Sequence, residues 1–449
     1  MPNEDSQRAN PGPVTTNLRR SRRGRMVGVV LFVAALLTFF SVGVASAEDD
    51  SGESSYRGST VVDDVAIAGV VVIVEDESGT EVGRATSDDE GAWRVPVPEP
   101  GTYVLRFDPD TIPDEYEAQS EELSLPVNPQ QARFAPLRLV NAGEGGADAA
   151  GPAQDSNLRR FLQLTVDGIK FGLVIAMCAV GLSLIFGTTG LTNFAHGELV
   201  TFGALVGWMF NVRFGLNLVF AGVFAVGIGF VVGLGLERGI FSPLRRRGTS
   251  LIALIVVTIG MSLFVRYVFL YVFGGRTRAY ADYTAQRGWN IGPVVLTPAA
   301  LSSIVISIVV LGLVGFLLQR TRIGKAIRAV ADNRDLASAS GIDVGRVIVL
   351  VWGFGAALAA LGGVLFGVQE QVGWEMGFQL LLYIFAGVTL GGLGTAYGAL
   401  LGGVLVGIFT QLSTMVVAPE LKKVGALVLL VGTLLLRPQG ILGQRERIG

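Results

Sequence analysis

The sequence predicts an all-α polytopic membrane domain of about nine membrane segments, preceded by a small extracytoplasmic all-β sandwich. Three observations carry this. Half of the 449 residues are hydrophobic and only 16% are charged, against roughly 25% in a soluble domain. From about Leu162 onward, apolar runs of bilayer length recur. Between residues 48 and 140 the pattern is instead acidic, β-branched and alternating, with turn residues between short runs.

Residues 1–47 read as a signal peptide or signal anchor. Arg19, Arg20, Arg22, Arg23 and Arg25 form a positive n-region before the apolar core Met26–Phe40. Ala45-Ser46-Ala47 fits a small-residue cleavage site. The uncleaved alternative stays open, because Met26–Ala47 is nearly long enough to span a bilayer. Both readings place residue 48 outside the cytosol.

Residues 48–140 are expected to form the sandwich. Gly69–Val74, Glu81–Thr86, Ala92–Val97, Gly101–Phe107 and Ala132–Val140 read as strands, with turns at Asp76–Gly79 and Asp88–Gly91. Asp88–Trp93 and Pro100–Tyr103 resemble the structural turn and strand entry of carboxypeptidase-regulatory-like, transthyretin-like sandwiches. Asp88, Asp89 and Glu90 read first as solvated acids in an exposed turn, with a calcium site as the alternative. The Gly/Ala-rich residues 141–157 read as a linker.

The membrane domain occupies 158–449. Apolar segments fall near 161–186, 196–212, 215–236, 250–273, 298–319, 347–370, 378–391, 396–416 and 423–436. The seventh is short and joins the eighth through Gly391–Gly394. With residue 155 outside, nine crossings put the C-terminus in the cytosol. Glu237–Thr249 and Arg320–Arg346 are then cytosolic and strongly basic, and Arg437, Arg445 and Arg447 follow in the tail. The outer loop Gly274–Pro298 carries Arg276, Arg278 and Arg287 in more residues. This asymmetry obeys the positive-inside rule.

Two stretches stand out. Gly181–Gly197 (GLSLIFGTTGLTNFAHG) breaks an apolar run at Gly187–Gly190 and then places Asn193, the sole histidine His196 and Glu198 at the start of the next. Ionisable groups within membrane segments are costly and are usually paired or functional. The second is Arg320–Val347. Ile323, Ala326, Ile327 and Val330 share helical spacing, while Arg322, Lys325, Arg328 and Asp332 lie largely elsewhere. Asp332-Asn333 is expected to stop this helix, and Asp335 to cap a second one ending at Gly341. Such a basic helix pair suits docking into a protein groove or lying on anionic lipid.

Gly181–Glu198, Arg322–Gly341, Thr389–Gly403 and Leu436–Gly443 together resemble, in the right order, the motifs of branched-chain amino acid ABC importer permeases of the H type. The resemblance implies a multi-helix permease that forms a translocation path. It implies a second homologous permease subunit, two ATP-binding subunits docked on 320–346, and an extracellular solute-binding protein. The coupling-loop positions it carries over are Gly324, Ala326, Arg328, Ala329, Asp332, Ala337 and Gly341. Urea and short-chain amide importers use similar permeases, and typical members lack the front sandwich.

The chain has no G-x-x-x-x-G-K-[ST] phosphate loop, so ATP hydrolysis is expected on partner subunits. One cysteine, Cys178, and one histidine leave no Cys/His zinc site. No catalytic residue, cofactor or nucleic-acid footprint is expected. Asn193 reads as a helix cap and Glu198 as a dipole partner, or Asn193, His196 and Glu198 belong to a pathway or gate. Arg266 either snorkels or pairs with a carboxylate such as Glu370. Asp167 and Lys170 are spaced to pair. The late glycines Gly391–Gly403 are expected to serve packing rather than a pore wall. A membrane-anchored receptor or scaffold using the sandwich for binding is the rival of another class.

Overall fold

A computed structural model describes residues 54–443, apart from 63–64, 77, 90, 100, 119–121, 128–131, 136, 138, 142–152, 282–287, 419–420 and 438. The expected leader 1–47, most of the expected linker, Glu90, Pro100, Arg287, Arg445 and Arg447 therefore lie outside the described residues.

The front region contains two main sheets around one apolar core. Strands β1 (Ser54–Ser59), β2 (Val71–Glu75), β3 (Glu81–Thr86), β4 (Ala92–Val97) and β5 (Gly101–Phe107) are followed by β6 (Tyr116–Ala118), β7 (Leu123–Val127), β8 (Ala132–Phe134) and β9 (Leu139–Asn141). One sheet has the order β3-β2-β5-β7 and the other β8-β1-β4, with β8 parallel to β1. Period-two alternation decides the core: Trp93, Val95 and Val97 of β4 and Tyr103, Leu105 and Phe107 of β5 are buried, while Ala92, Arg94 and Pro96 face out. Ala132–Val140 is not one strand. It divides into β8, which joins β1, and β9, which pairs antiparallel with β6. The Asp88 carboxylate accepts from Ala92 N at 2.7 Å, closing its own turn. Among the described residues, no group of three acids, histidines or cysteines could hold a metal.

The membrane region is helical: α1 (Ala153–Thr189), α2 (His196–Trp208), α3 (Leu218–Leu236), α4 (Leu251–Phe273), α5 (Pro298–Arg320), α6 (Arg322–Asp332), α7 (Arg334–Ala339), α8 (Val344–Glu370), α9 (Met376–Gly391), α10 (Ala396–Ser413) and α11 (Lys422–Leu436). Six described helices are long and apolar enough to cross a membrane: Asn157–Thr189, Leu218–Arg246, Leu251–Phe273, Pro298–Arg320, Val344–Glu370 and Ala396–Ser413. The expected nine segments are thus six long helices and the three shorter α2, α9 and α11. The expected loop at 237 is also corrected. Helical turns continue from α3 through Glu237–Phe241 and Ser242–Arg246.

Contacts between helix ends sort the chain into two sides. At the first, Gln163 bonds Val295 of the hairpin β10 (Trp289–Ile291)–β11 (Val294–Leu296), Arg160 bonds the Thr414 carbonyl, and Lys422 meets Glu370. At the second, Arg334 bonds the Thr188 carbonyl, and Ile441 N and Leu442 N bond the carbonyls of Leu390 and Gly391. Successive apolar helices alternate between these ends. α1 and α8 form the centre, each 83% buried along its apolar stretch, whereas α4 and α5 are 22% buried and leave broad apolar faces outward. Large exposed residues such as Phe264 and Phe316 suit hydrocarbon contact. The late glycines serve close approach, as expected: a side chain at Gly391 would meet Gly398, and one at Gly403 would meet Ala176.

Candidate functional site

The break after α1 has a local cause. The Thr188 and Thr189 hydroxyls turn back onto the carbonyls of Leu184 and Ile185, and Gly190 adopts φ +67°, a conformation that favours glycine. The chain then re-enters the bundle. His196 Nε2 lies 3.0 Å from the Cys178 carbonyl, about 16 Å of helix rise before the end of α1. Phe194 N donates to Thr258 Oγ1 at 3.2 Å, about 10 Å inside α4. So α2 starts deep among the helices, not at their end. That geometry puts a helix N-terminus, with its partial positive charge, inside the membrane region.

Three predicted residues converge here. Asn193 Oδ1 accepts from Ala195 N at 3.0 Å; helix α2 begins only at His196, so Asn193 closes the linker instead of capping the helix. His196 is fully buried, and its Nδ1 has no hydrogen-bond partner. Glu198 is 3% exposed. Its Oε1 accepts from Ser262 Oγ at 2.9 Å and from Arg266 Nε and Nη2 at 3.1 and 3.0 Å, while Oε2 has no partner. Arg266 therefore pairs with Glu198, and not with Glu370, which meets Lys422. The Arg266 guanidinium also lies 3.5 Å from the Phe378 ring centroid.

Sequence spacing explains the meeting. Leu254, Thr258, Ser262 and Arg266 recur every four residues and form the buried stripe of α4. The opposite face is apolar and exposed. On the other flank, Gly377 N donates to Thr201 Oγ1 at 3.0 Å, and the Phe194 and Phe385 rings lie 5.1 Å apart. Gly197 and Gly377 touch backbone to backbone, so a Cβ on either would collide. The floor is α2; α4 and α9 flank it. A buried ion pair in such surroundings carries a desolvation cost of several kcal/mol per ion, which its own hydrogen bonds must offset.

The second cluster is the basic helix pair. Thr321 Oγ1 accepts from Gly324 N at 3.0 Å and caps α6. Asn333, not Asp335, caps α7 by accepting from Leu336 N at 2.9 Å. Gly341 closes the pair at φ +84°. Gly324, Ile327, Val330 and Ala337 are buried, and Ala326 and Ala329 half-buried, against the bundle. Ile323, Arg328, Asp332 and Leu336 are exposed, so Ile323 leaves the expected apolar face. Sequence reasoning missed Arg334. Its guanidinium donates to the Thr188 carbonyl, beside the Glu237–Arg245 ion pair. Burial lowers its pKa, and the charge of Arg245 adds to that shift. The helix pair thus grips α1 where the chain breaks. Nothing but another arginine in a basic loop marked it.

The chain is thus a bundle of apolar helices with a re-entering helix start and a basic helix pair at one end. Residues 164–434 match the family model described as branched-chain amino acid transport system / permease component. The chain belongs to that family. It is similar to the high-affinity branched-chain amino acid transport system permease protein LivH of Escherichia coli (strain K12), 35% identical over 300 residues covering 64% of this chain and 96% of LivH. The corresponding permease BraD of Pseudomonas aeruginosa is 33% identical, covering 64% of this chain and 97% of BraD. LivM of Escherichia coli is 24% identical, covering 62% and 70%. A solved structure, PsaBC from Streptococcus pneumoniae in complex with Fab, aligns with a TM-score of 0.36 at 14% identity over 62% of this chain and 92% of its own, too remote to carry an argument.

Proposed function

We propose that this chain is a translocation subunit of an importer for branched-chain amino acids. The observation that carries the reading is the family match, which spans the helices from α1 to α11 and so includes both the broken helix and the basic pair. The chain pairs with a second, homologous permease. Two ATP-binding subunits dock on residues 320–346, where Arg328, Asp332, Ile323 and Leu336 are exposed. A solute-binding protein delivers substrate outside. The second end of the bundle is cytosolic, because it holds Arg238, Arg245, Arg246, Arg247 and the basic helix pair. Residues 48–155 are then extracytoplasmic, and 1–47 are the leader or anchor.

Asn193, His196 and Glu198 line or gate the path, since the re-entering linker brings all three into the bundle beside the flanking helix α4. The front sandwich is accessory. The test is uptake of labelled leucine, isoleucine and valine by cells or vesicles carrying the chain with its cognate subunits. ATP-dependent uptake of these amino acids is the expected result. Uptake of urea or a short-chain amide instead would overturn the substrate, and absence of any ATP-linked uptake would leave the anchored receptor as the better reading.

A further inference from the structure

We infer that Glu198 and Arg266 are the two poles of a subsite for the head group of a free α-amino acid: Glu198 meets the ammonium and Arg266 the carboxylate. This deepens the permease reading and rests on it.

The argument starts from an asymmetry within the ion pair. Three donors converge on one oxygen of Glu198, while the other, Oε2, is buried without a donor. A buried acceptor left unpaired costs about 1–3 kcal/mol, more when charged. An ammonium carries three donors and full charge, and it fits that oxygen best among small groups.

Arg266 is equally suited to the opposite role. Two contacts besides Glu198 also hold it. Nη2 also donates to Ser262 Oγ at 3.0 Å, and the guanidinium is stacked against Phe378. Its Nη1 takes part in none of these bonds, and a guanidinium fork is matched to a carboxylate. Phe378 is 48% exposed, so the arginine lies against a residue that reaches the surface.

Placement supports the same occupant. The pair lies on the first-end side of Phe194, between the re-entering start of α2 and the outer ends of α4 and α9. Phe194, Phe385 and Phe378 provide apolar walls beside it, which suit a branched hydrocarbon side chain. α4 meets the start of α9 here through side chains, Arg266 against Phe378, and meets the turn before α9 through Tyr267 against Trp374 at 6.3 Å. No backbone hydrogen bond joins the two helices themselves; the segments at their outer ends are tied by one bridge, in which Arg278 and Val372 exchange two backbone bonds at 2.8 and 2.7 Å. A zwitterion entering the seam replaces one internal ion pair by two external ones, so the charges never face hydrocarbon alone.

A merely structural staple between α2 and α4 makes the same hydrogen bonds, and the experiment separates the two. The full chain is produced with its cognate subunits, and the assembled importer is irradiated with photo-leucine, the diazirine analogue of leucine. Labelling of peptides carrying Phe194, Phe378 or Phe385 is expected. Glu198→Gln and Arg266→Gln should each reduce it by about 30-fold or more, as loss of one pole of a buried charge pair does, with subunits still co-purifying.

Competition supplies the readout that a staple would not move. In the unaltered protein, leucine should outcompete both 4-methylpentanoate, which lacks the ammonium, and 3-methylbutylamine, which lacks the carboxylate. In Glu198→Gln the acid should approach leucine, and in Arg266→Gln the amine should do so. Label confined to other peptides, or both variants keeping leucine's full advantage, overturns the subsite. If either variant fails to assemble, Phe378→Leu decides, since it keeps both charges: weaker labelling supports the subsite and unchanged labelling overturns it. Uptake without label here defeats the inference alone, whereas absence of branched-chain uptake defeats the permease reading.

Discussion

At the scale of single residues, close backbone approach is the most exacting demand of this bundle. Gly377→Val places a side chain against the Gly197 carbonyl and Thr201 Oγ1, and must force α9 away from α2. Overpacking of this kind costs about 1–3 kcal/mol. Gly227 has open space where a Cβ would go, so Gly227→Ala should leave stability nearly unchanged. Cys178 is the one cysteine and fully buried, so the temperature at which it becomes reactive to a thiol dye reports unfolding. A melting temperature for Gly377→Val equal to that of Gly227→Ala would show that the helices do not touch there.

Asp76, in the front region, makes a second residue-level case. Its carboxylate accepts from the Ser78 hydroxyl at 2.6 Å and from Thr80 N at 2.9 Å. The Ser78 hydroxyl bond, followed by the Thr80 bond, holds its pKa below the ordinary carboxylate value. A group depressed in the folded state contributes stability above its unfolded pKa, about 3.9 for aspartate, and loses it as pH falls through the folded value. Amide exchange at Ser78 and Thr80 in the full chain should therefore be slower than in Asp76→Ala at pH 6, and the difference should vanish under acid. A difference that persists well below the carboxylate range would remove the turn's dependence on ionised Asp76.

At the scale of elements, the basic helix pair is the region where sequence and structure inform each other most. Its amphipathic period and its final Gly341 were legible, because both are local. Its caps were half legible: Asn333 and Asp335 are both good capping residues, and only backbone geometry selects Asn333. The Arg334 contact to Thr188 was not legible, since it joins residues far apart in sequence. The same holds for Glu198 and Arg266. Each was marked as costly in a membrane segment, but pairing is a tertiary fact. The exposed Arg328 leads to a prediction at this scale. Arg328→Glu reverses a charge on the outward face without touching the buried Gly324, Ile327 or Val330. Insertion and subunit assembly should persist while uptake per ATP hydrolysed falls several-fold. Unchanged uptake would refute docking through this face.

At the scale of the whole molecule, orientation is set by charge and alternation together. Every apolar helix from α1 to α11 reverses direction, so fixing one connection fixes all the others. With Cys178→Ser as background, a cysteine at position 88 should react with a membrane-impermeant thiol reagent in intact cells, and one at 246 should not. The opposite pattern would invert the topology. The lengths of the apolar segments were harder to read than their existence. Segments such as 196–208 and 376–391 are short because α2 begins deep among the other helices and α9 leans on it through glycine contacts, neither of which hydropathy records.

The front sandwich tests where the transport machine ends. Its apolar core, built from residues such as Tyr56, Val72, Val95 and Leu105, is self-contained, and none of those residues belongs to the cluster that fills the helical bundle. The family match begins only at residue 164, within α1. A domain with its own core, set before the matched region, is expected to add recognition rather than translocation. On the proposed reading its acidic composition would steer a delivering protein or contact the envelope, effects that act on encounter rate and fade with salt. Deleting Asp49–Gly151 while keeping residues 1–48 should therefore preserve insertion and saturating uptake, and slow uptake chiefly at low concentrations of the binding protein. The rate should then be compared at low and high ionic strength, because a steering role predicts that the two chains converge as salt rises. Complete loss of uptake in a correctly inserted, fully assembled complex would instead make the sandwich a working part of the permease.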